Sequence, residues 1–359
     1  MSLQFHELSV AGITRETPDS VCVAFDVPDA LRDTFRYKPG QHLTLRATIG
    51  GEDVRRSYSI CSSLSEGRLR VGVKKVDGGV FSAFVNDNLK SGDTIRVLPP
   101  QGRFAVDVAE NAAHNYLMVA AGSGITPVLS IIRSTLEGEP SSEVTLVYGN
   151  RETGSIMFRE ELEDLKDRFL DRFRTVHILS RETQDVPLFN GRIDADRLGK
   201  LASAGLIQPG EADGIFICGP GELIDEAAQA LASLGADMAR IHFERFTTDG
   251  TAPRPVSAAT RAAAEKGATV EVILDGVSKS FAYDDSSKKV VEAAAAKGLD
   301  LPYSCAGGMC ATCRCKVVEG SAEMDVNYAL EPWETEAGYI LACQARPTSE
   351  KLVLDFDAV

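Results

Sequence analysis

Three cysteines sit close together at C-x₄-C-x₂-C spacing, Cys305, Cys310 and Cys313, and a fourth, Cys343, lies thirty residues further on. Four thiolates at this spacing can converge on a pair of bridged irons, with the short loop wrapping the group and the distant cysteine closing it. That is the ligand pattern of a [2Fe–2S] cluster. Gly307 and Gly308 sit where the loop has to bend back, and they leave backbone N–H groups free to point at sulfur. A Cys₄ zinc site would show two C-x₂-C knuckles, and this chain has one. Cys315 could compete as fourth ligand, but four ligands within one eleven-residue loop would leave Cys343 without a role.

Other residues whose types suggest chemistry lie far upstream. Arg56-Ser57-Tyr58-Ser59 places a cation and an aromatic ring on one face of a strand and two hydroxyls on the other. Such a set can neutralise a phosphate, cover a flat ring and donate to its edge. Val73-Lys74-Lys75 leads into Gly78-Gly79-Val80-Phe81-Ser82, where glycines feed a helix start and free N–H groups can bind an anion. Three more turns end apolar runs: Gly122-Ser123-Gly124-Ile125-Thr126-Pro127, Tyr148-Gly149-Asn150-Arg151 and Cys218-Gly219-Pro220-Gly221. Ser180-Arg181 follows the run Thr175 to Leu179, where an Arg accommodates a ribose 2′-phosphate. His242-Phe243-Glu244-Arg245-Phe246 closes this region, either as part of the site or as a terminal strand with core phenylalanines.

The combination Pro39-Gly40-Gln41-His42, R-x-Y-S and G-G-x-x-S resembles the flavin-binding barrel of the ferredoxin–NADP⁺ reductase family. The resemblance implies that Arg56 and Ser82 contact the flavin phosphates, Tyr58 lies against the isoalloxazine and Ser59 reaches toward N5. Ser57, Val73, Lys74, Lys75, Gly79 and Val80 belong to the same flavin motifs. The turn Gly122 to Pro127 is not G-x-G-x-x-G; it resembles the G-x-G-x-x-P turn of that family. By the same resemblance Thr126 faces the nicotinamide, and Cys218-Gly219-Pro220 flank its ribose. Glu244 then lies near hydride transfer, and Phe246 is a candidate cover for the flavin's other face. Ser59, Thr126, Cys218 and Glu244 are the expected catalytic set. Gly122, Gly124, Pro127, Asn150, Arg151, Ser180 and Arg181 are expected to hold the nucleotide. Residues from about Ala268 to Val359 resemble a plant-type ferredoxin domain.

The elements that must position these residues are legible in outline. Residues 1–108 read as an antiparallel β-barrel, with short strands such as Val21–Phe25, His42–Ala47, Leu69–Val73 and Thr94–Val97 broken by Gly- and Pro-rich turns. Residues 109–246 alternate apolar strands and helices, as a doubly wound parallel sheet does: Tyr116–Ala121, a helix over Val128–Leu136, Val144–Tyr148, a helix over Phe158–Phe169, Thr175–Leu179, Gly214–Cys218 and a helix over Leu223–Leu234. Residues 247–267 read as a linker, and 268–359 as an α+β β-grasp ferredoxin domain.

The 359 residues carry a net charge of −14, which argues against nucleic-acid binding. From Ala268 onward 15 acidic residues face 8 basic ones, a surface suited to a protein partner with a basic patch. No apolar run approaches the ~18 residues that span a membrane, and the N-terminus lacks signal-peptide character. A cytoplasmic protein is expected, with Cys22, Cys61, Cys218 and Cys315 as free thiols.

A reduced nicotinamide nucleotide gives up electrons as a pair, while a [2Fe–2S] cluster takes them singly. A flavin between them converts one to the other. The expected relay is therefore NADPH (rather than NADH) to FAD (rather than FMN) to [2Fe–2S] to a separate oxygenase, since no oxygenating metal motif occurs in the chain. The module order resembles the reductase subunits of phenylacetyl-CoA 1,2-epoxidase systems, an assignment that implies phenylacetate catabolism. Reductases of 3-ketosteroid 9α-hydroxylase and phthalate dioxygenase share that order, and the last of these uses FMN. A pure electron carrier or sensor is opposed by the intact flavin and nucleotide motifs, and a stand-alone flavin reductase by the four intact cysteines.

Overall fold

The computed structural model describes residues 4–246 and 254–358, which fall into two compact units divided near residue 250. The first unit opens with strands β1 (His6–Thr17), β2 (Ser20–Asp26), β3 (His42–Ile49), β4 (Glu52–Ser59), β5 (Leu69–Lys74) and β6 (Thr94–Val97), with helix α1 (Val80–Asp87) between β5 and β6. The strands pair antiparallel in the order β4-β3-β6-β1-β2-β5. Just beyond β4, Ile60 bridges to Val71 of β5, and the Cys61 N–H donates to the Arg70 carbonyl at 2.9 Å. The two sheet edges therefore meet, which removes the hazard of exposed edges. Alternation sends Val21 and Val23, Leu43 and Leu45, and Val71 and Val73 into the barrel core. β1 is hard to read from sequence because register shifts between Val10 and Gly12 and between Arg15 and Thr17 break its alternation.

The same unit continues with β7 (Asn115–Ala121), α2 (Ile125–Gly138), β8 (Glu143–Asn150), α3 (Arg159–Arg168), β9 (Phe173–Leu179), α4 (Ala195–Ser203), β10 (Gly214–Gly219), α5 (Gly221–Ser233) and β11 (Ile241–Arg245). The sheet is all parallel, in the order β11-β10-β7-β8-β9. The chain reverses its direction of winding between β7 and β10, so a crevice opens at the carboxyl ends of those two strands. α2 starts three residues before the apolar period suggests, because Gly122–Gly124 forms a tight turn that runs into it and Pro127 fits the first helical turn. α4 is an element that the apolar period does not reveal. Its marks are a cap, in which the Arg197 N–H donates to Asp194 at 2.7 Å, and an inward pair, Leu198 and Leu201.

The second unit contains α6 (Ala258–Glu265), β12 (Ala268–Leu274), β13 (Val277–Tyr283), α7 (Val290–Ala296), β14 (Arg314–Glu319), β15 (Ala322–Met324), α8 (Pro332–Glu336), β16 (Tyr339–Leu341), β17 (Ala345–Pro347) and β18 (Lys351–Asp355). Its main sheet runs β13-β12-β18-β14-β16, with β12 and β18 parallel, and a small ribbon pairs β15 with β17. α6 occupies part of the stretch expected to be a linker; 247–253 of that stretch lie outside the described residues. Five of its eight residues are Ala, strong helix formers that give little apolar period, and the Thr260 N–H donates to the Ser257 cap at 3.1 Å. No helix among the described residues is long and apolar enough to cross a membrane.

Candidate active site and cluster loop

Ser59 ends β4, buried at 3% exposure, and its Oγ donates to Glu244 Oε2 at 3.0 Å. Glu244 stands on β11 opposite Cys218 of β10, and its other oxygen lies 3.7 Å from His42 Nδ1 on β3. The β3–β4 pair of the barrel and the last strand of the nucleotide sheet thus contribute to one cluster of proton-exchanging groups. Gly124, in the turn after β7, packs against the end of β10: a Cβ there would lie 2.0 Å from the Cys218 carbonyl oxygen. Thr126 Oγ1 donates to the Ser123 carbonyl at 3.0 Å, while its methyl fills the space left by Gly72 of β5. Ser59, Thr126, Cys218 and Glu244 thereby line one junction between barrel and parallel sheet. The Cys218 side chain is fully buried, and burial, then the Glu244 charge, push its thiol well up. Its sulfur stays neutral, and the backbone is the part it offers to the crevice.

On the barrel side, Arg56 is exposed, with its guanidinium donating to the Arg55 carbonyl at 2.7 Å. Ser57 is half-buried. Tyr58 lies 5.9 Å from the Phe81 ring, and burial raises its phenol pKa. Val73 is in the barrel core, so only its backbone is available to a ligand. Lys74 pairs with Asp19 at 3.2 Å and Lys75 with Asp87 at 2.5 Å. Gly78 takes φ +71°, and Gly79 caps α1 ahead of exposed Val80. Ser82 Oγ accepts from the Val76 N–H at 3.1 Å and so secures the turn itself.

On the nucleotide side, Gly122 takes φ +54° and its carbonyl accepts from Tyr148 Oη at 2.9 Å. Pro127 is buried in the first turn of α2. The Asn150 side chain is buried at the end of β8, next to the Tyr148 hydroxyl. Arg151 and Ser180-Arg181 are exposed at the adjacent ends of β8 and β9, joined by the Arg181 N–H to Arg151 carbonyl bond at 2.8 Å. The Glu182 carboxylate is engaged by Thr153: it accepts from the Thr153 N–H and hydroxyl, each at 2.7 Å, and these bonds lower its pKa. Gly219 is buried, Pro220 is exposed as the cap of α5, and Phe246 packs half-buried against the core of the sheet.

In the second unit Cys305 lies near Cys310 and Cys343, and Cys343 near Cys313. The Gly307 and Met309 N–H groups each donate to Cys305 Sγ at 3.4 Å. The bond from Cys305 alone would lower the Cys343 thiol; contact with Cys313 and burial outweigh it and push the thiol up. Raised thiols at Cys305 and Cys343 suit a site where a bound metal would supply the compensating charge. The loop bends differently from expectation. Ala306, Gly308 and Ala311 take positive φ of 51°, 76° and 54°, whereas Gly307 does not. Cys315 is fully buried on β14, paired in register with Ile340, and points into the core.

Residues 7–106 match the oxidoreductase FAD-binding domain, 118–229 the oxidoreductase NAD-binding domain, and 272–348 the 2Fe-2S iron-sulfur cluster binding domain. The chain is 45% identical over 355 residues to a subunit of the 1,2-phenylacetyl-CoA epoxidase of Escherichia coli, covering 99% of this chain and 98% of the relative. The chain belongs to the family of FAD- and [2Fe–2S]-containing oxygenase reductases. It is 40% identical to the ferredoxin reductase component of 3-ketosteroid-9-alpha-monooxygenase of Rhodococcus rhodochrous, covering 97% and 96% of the two chains. The phthalate dioxygenase reductase structure shares the fold with a TM-score of 0.60, at 23% identity and 98% coverage of both chains. This reductase is therefore an electron-transfer component of a multicomponent oxygenase, with FAD-, NAD- and [2Fe–2S]-binding domains in that order.

Two groups at these sites have no role that residue type and spacing disclose. His42 belongs to the Pro39-Gly40-Gln41-His42 motif, and only the fold brings it to Glu244. Gln344 follows Cys343; its amide donates to the Ala306 carbonyl at 2.7 Å and lies 3.7 Å from Cys343 Sγ, tying the distant cysteine to the loop.

Proposed function

We propose that this reductase carries electrons from NADPH through FAD and the cluster to the oxygenase of a phenylacetyl-CoA ring-epoxidising system. The observation that carries this reading is the 45% identity to a phenylacetyl-CoA epoxidase component over essentially both whole chains. The reading divides the chain into a flavin barrel at 1–108, a nucleotide domain at 109–246 and a ferredoxin domain at 268–359, working in the cytoplasm. Arg56, Ser57, Tyr58, Gly79, Val80 and Ser82, with the backbone of 73–75, hold FAD. Gly122, Gly124, Pro127, Asn150, Arg151, Gly219 and Pro220 hold the nucleotide, and Phe246 covers the ring. Ser59 and Glu244 handle the proton at the flavin edge, Thr126 faces the nicotinamide, and Cys218 walls the crevice. Cys305, Cys310, Cys313 and Cys343 ligate the iron.

Bound FAD supplies the exchange between electron pairs and single electrons. The protein orients the reactants and manages the proton. Oxidation of one NADPH releases NADP⁺, a proton and two electrons. The cluster carries only electrons, so the proton has to leave through protein groups. The Ser59–Glu244 contact, with the Glu244 carboxylate as acceptor, supports that route.

The NADPH preference rests on Arg181 and Arg151, two exposed cations at neighbouring strand ends, with the Glu182 carboxylate already engaged by Thr153. Arg181→Ala should raise KM for NADPH about tenfold or more while leaving NADH kinetics nearly unchanged; a higher kcat/KM with NADH in the unmodified protein would overturn the preference. The functional reading is tested by reconstitution. The purified holoprotein, NADPH and phenylacetyl-CoA epoxidase oxygenase components should give product coupled to nucleotide oxidation. The 40% match to the ketosteroid reductase makes the ketosteroid oxygenase the necessary comparison, and faster turnover there would reassign the pathway.

A further inference from the structure

The chain has one tryptophan, Trp333, and it stands in water at 58% exposure. It lies on α8, a five-residue turn that is held unusually firmly for its length. Pro332 occupies the first turn, the Glu331 and Glu334 side chains form a capping box, and Thr335 Oγ1 donates to the Pro332 carbonyl at 2.8 Å. The Glu334 carboxylate is fully buried and accepts from Arg314 Nε at 2.7 Å. Arg314 directly follows the ligand Cys313. At the other end of the segment, the Tyr328 N–H donates to the Gly308 carbonyl at 3.1 Å, inside the cysteine loop. Residues 328–334 are thus tied to the cluster loop at both ends, and Trp333 projects from the tied strip. Glu331 and Glu336 flank it, both exposed.

A large aromatic side chain costs little entropy to immobilise when its backbone is already rigid, and such residues dominate binding energy when they enter a partner's pocket. We propose that Trp333, rimmed by Glu331 and Glu336, is the anchor on which the oxygenase component docks to take electrons from the cluster. The occupant is an oxygenase surface with an apolar pocket edged by Lys and Arg, the complement of a segment in which 15 acidic residues face 8 basic ones. The proposal rests on the electron-transfer reading above: electrons leave this chain at the cluster, so an acceptor has to come close to its edge.

The test uses the full-length holoprotein and the variants W333A, W333F and E331Q/E336Q. Three rates are read: NADPH oxidation with ferricyanide, single-turnover bleaching of the cluster absorbance by NADPH, and steady-state turnover against increasing concentrations of whichever of the two oxygenases accepts electrons from the unmodified protein. W333A should leave the first two unchanged and raise KM for the oxygenase about tenfold or more, with kcat little altered. W333F should recover part of the loss, and E331Q/E336Q should flatten the salt dependence of KM. An unchanged oxygenase KM in W333A overturns the docking proposal and leaves the functional reading standing. Slowed cluster bleaching with an unchanged KM also overturns it, because Trp333 would then serve electron entry to the cluster rather than transfer to the oxygenase. If neither oxygenase accepts electrons from the unmodified protein, the functional reading and the proposal both fall.

Discussion

At the scale of single residues, the decisive contact is Ser59 Oγ to Glu244 Oε2 at 3.0 Å, across 185 residues of chain. A hydroxyl fixed by a carboxylate can pass a proton outward, and proton transfer by a positioned group contributes about 10²–10⁴-fold to rate. Glu244→Gln keeps the shape and removes the acceptor charge. It should slow NADPH-driven flavin reduction or reoxidation about 100-fold in stopped flow with flavin content unchanged; rates equal to those of the parent would remove Glu244 from the proton route. The cysteines make a second residue-scale test. Cys343→Ser should abolish the cluster's visible and EPR signals while ferricyanide reduction persists. Cys315→Ser should keep those signals, because its sulfur is buried in the sheet beside Ile340. Bleaching by Cys315→Ser alone would reverse the assignment.

At the scale of elements, glycines separate two kinds of turn. Gly124 lets the turn after β7 sit on the end of β10: a Cβ would meet the Cys218 carbonyl oxygen at 2.0 Å and the Gly219 nitrogen at 2.9 Å, both backbone atoms that cannot swing aside. Gly124→Ala should cost about 1–3 kcal/mol or more of stability and weaken nucleotide binding, since the turn carries Thr126. Gly199, inside α4, has nothing within 4 Å of its missing Cβ. Gly199→Ala should therefore stabilise by about 0.5–1 kcal/mol through helix propensity. Chemical denaturation of the pair checks both signs. If both variants destabilise alike, crowding at the strand end is not what distinguishes Gly124.

At the scale of the whole first unit, barrel and parallel sheet are joined by a four-membered ionic cluster. Arg70 of β5 makes a two-pronged contact with Glu161 of α3 at 2.9 and 3.0 Å, and Arg133 of α2 reaches Glu161 at 2.7 Å and Glu66 at 2.9 Å. Burial pushes the Glu161 carboxyl up, but Arg70 and Arg133 outweigh it and hold it below its ordinary value of 4.5. A carboxylate whose folded pKa is lowered contributes stability above its unfolded pKa, and the contribution fades as pH falls through the folded value. Glu161→Gln should therefore lower stability at pH 7 by about 2–3 kcal/mol, much of it from leaving a guanidinium uncompensated. The gap to the parent should close as pH drops below 4.5, where the parent loses the same charge. A gap independent of pH across that range would mean that packing, not the ion pairs, joins the two halves.

Local spacing determined a great deal of this protein. C-x₄-C-x₂-C, R-x-Y-S and three glycine turns at strand ends are short patterns whose function depends on neighbours in sequence, so the three modules and their order were legible from the chain alone. Elements with little apolar contrast were not: the Ala-rich α6 in the expected linker, the bulged β1 and the capped α4. Tertiary structure decided whatever depends on which distant strands become neighbours. Parallel pairing sets Glu244 beside Cys218, and barrel closure brings Ser59 and His42 to the same carboxylate. It also buried the Cys218 thiol, tied up Lys74, Lys75 and Ser82 locally, and moved the bends of the cluster loop to Ala306, Gly308 and Ala311. The physical reason is that a side chain's availability depends on burial and on partners tens to hundreds of residues away, and residue type and spacing specify neither.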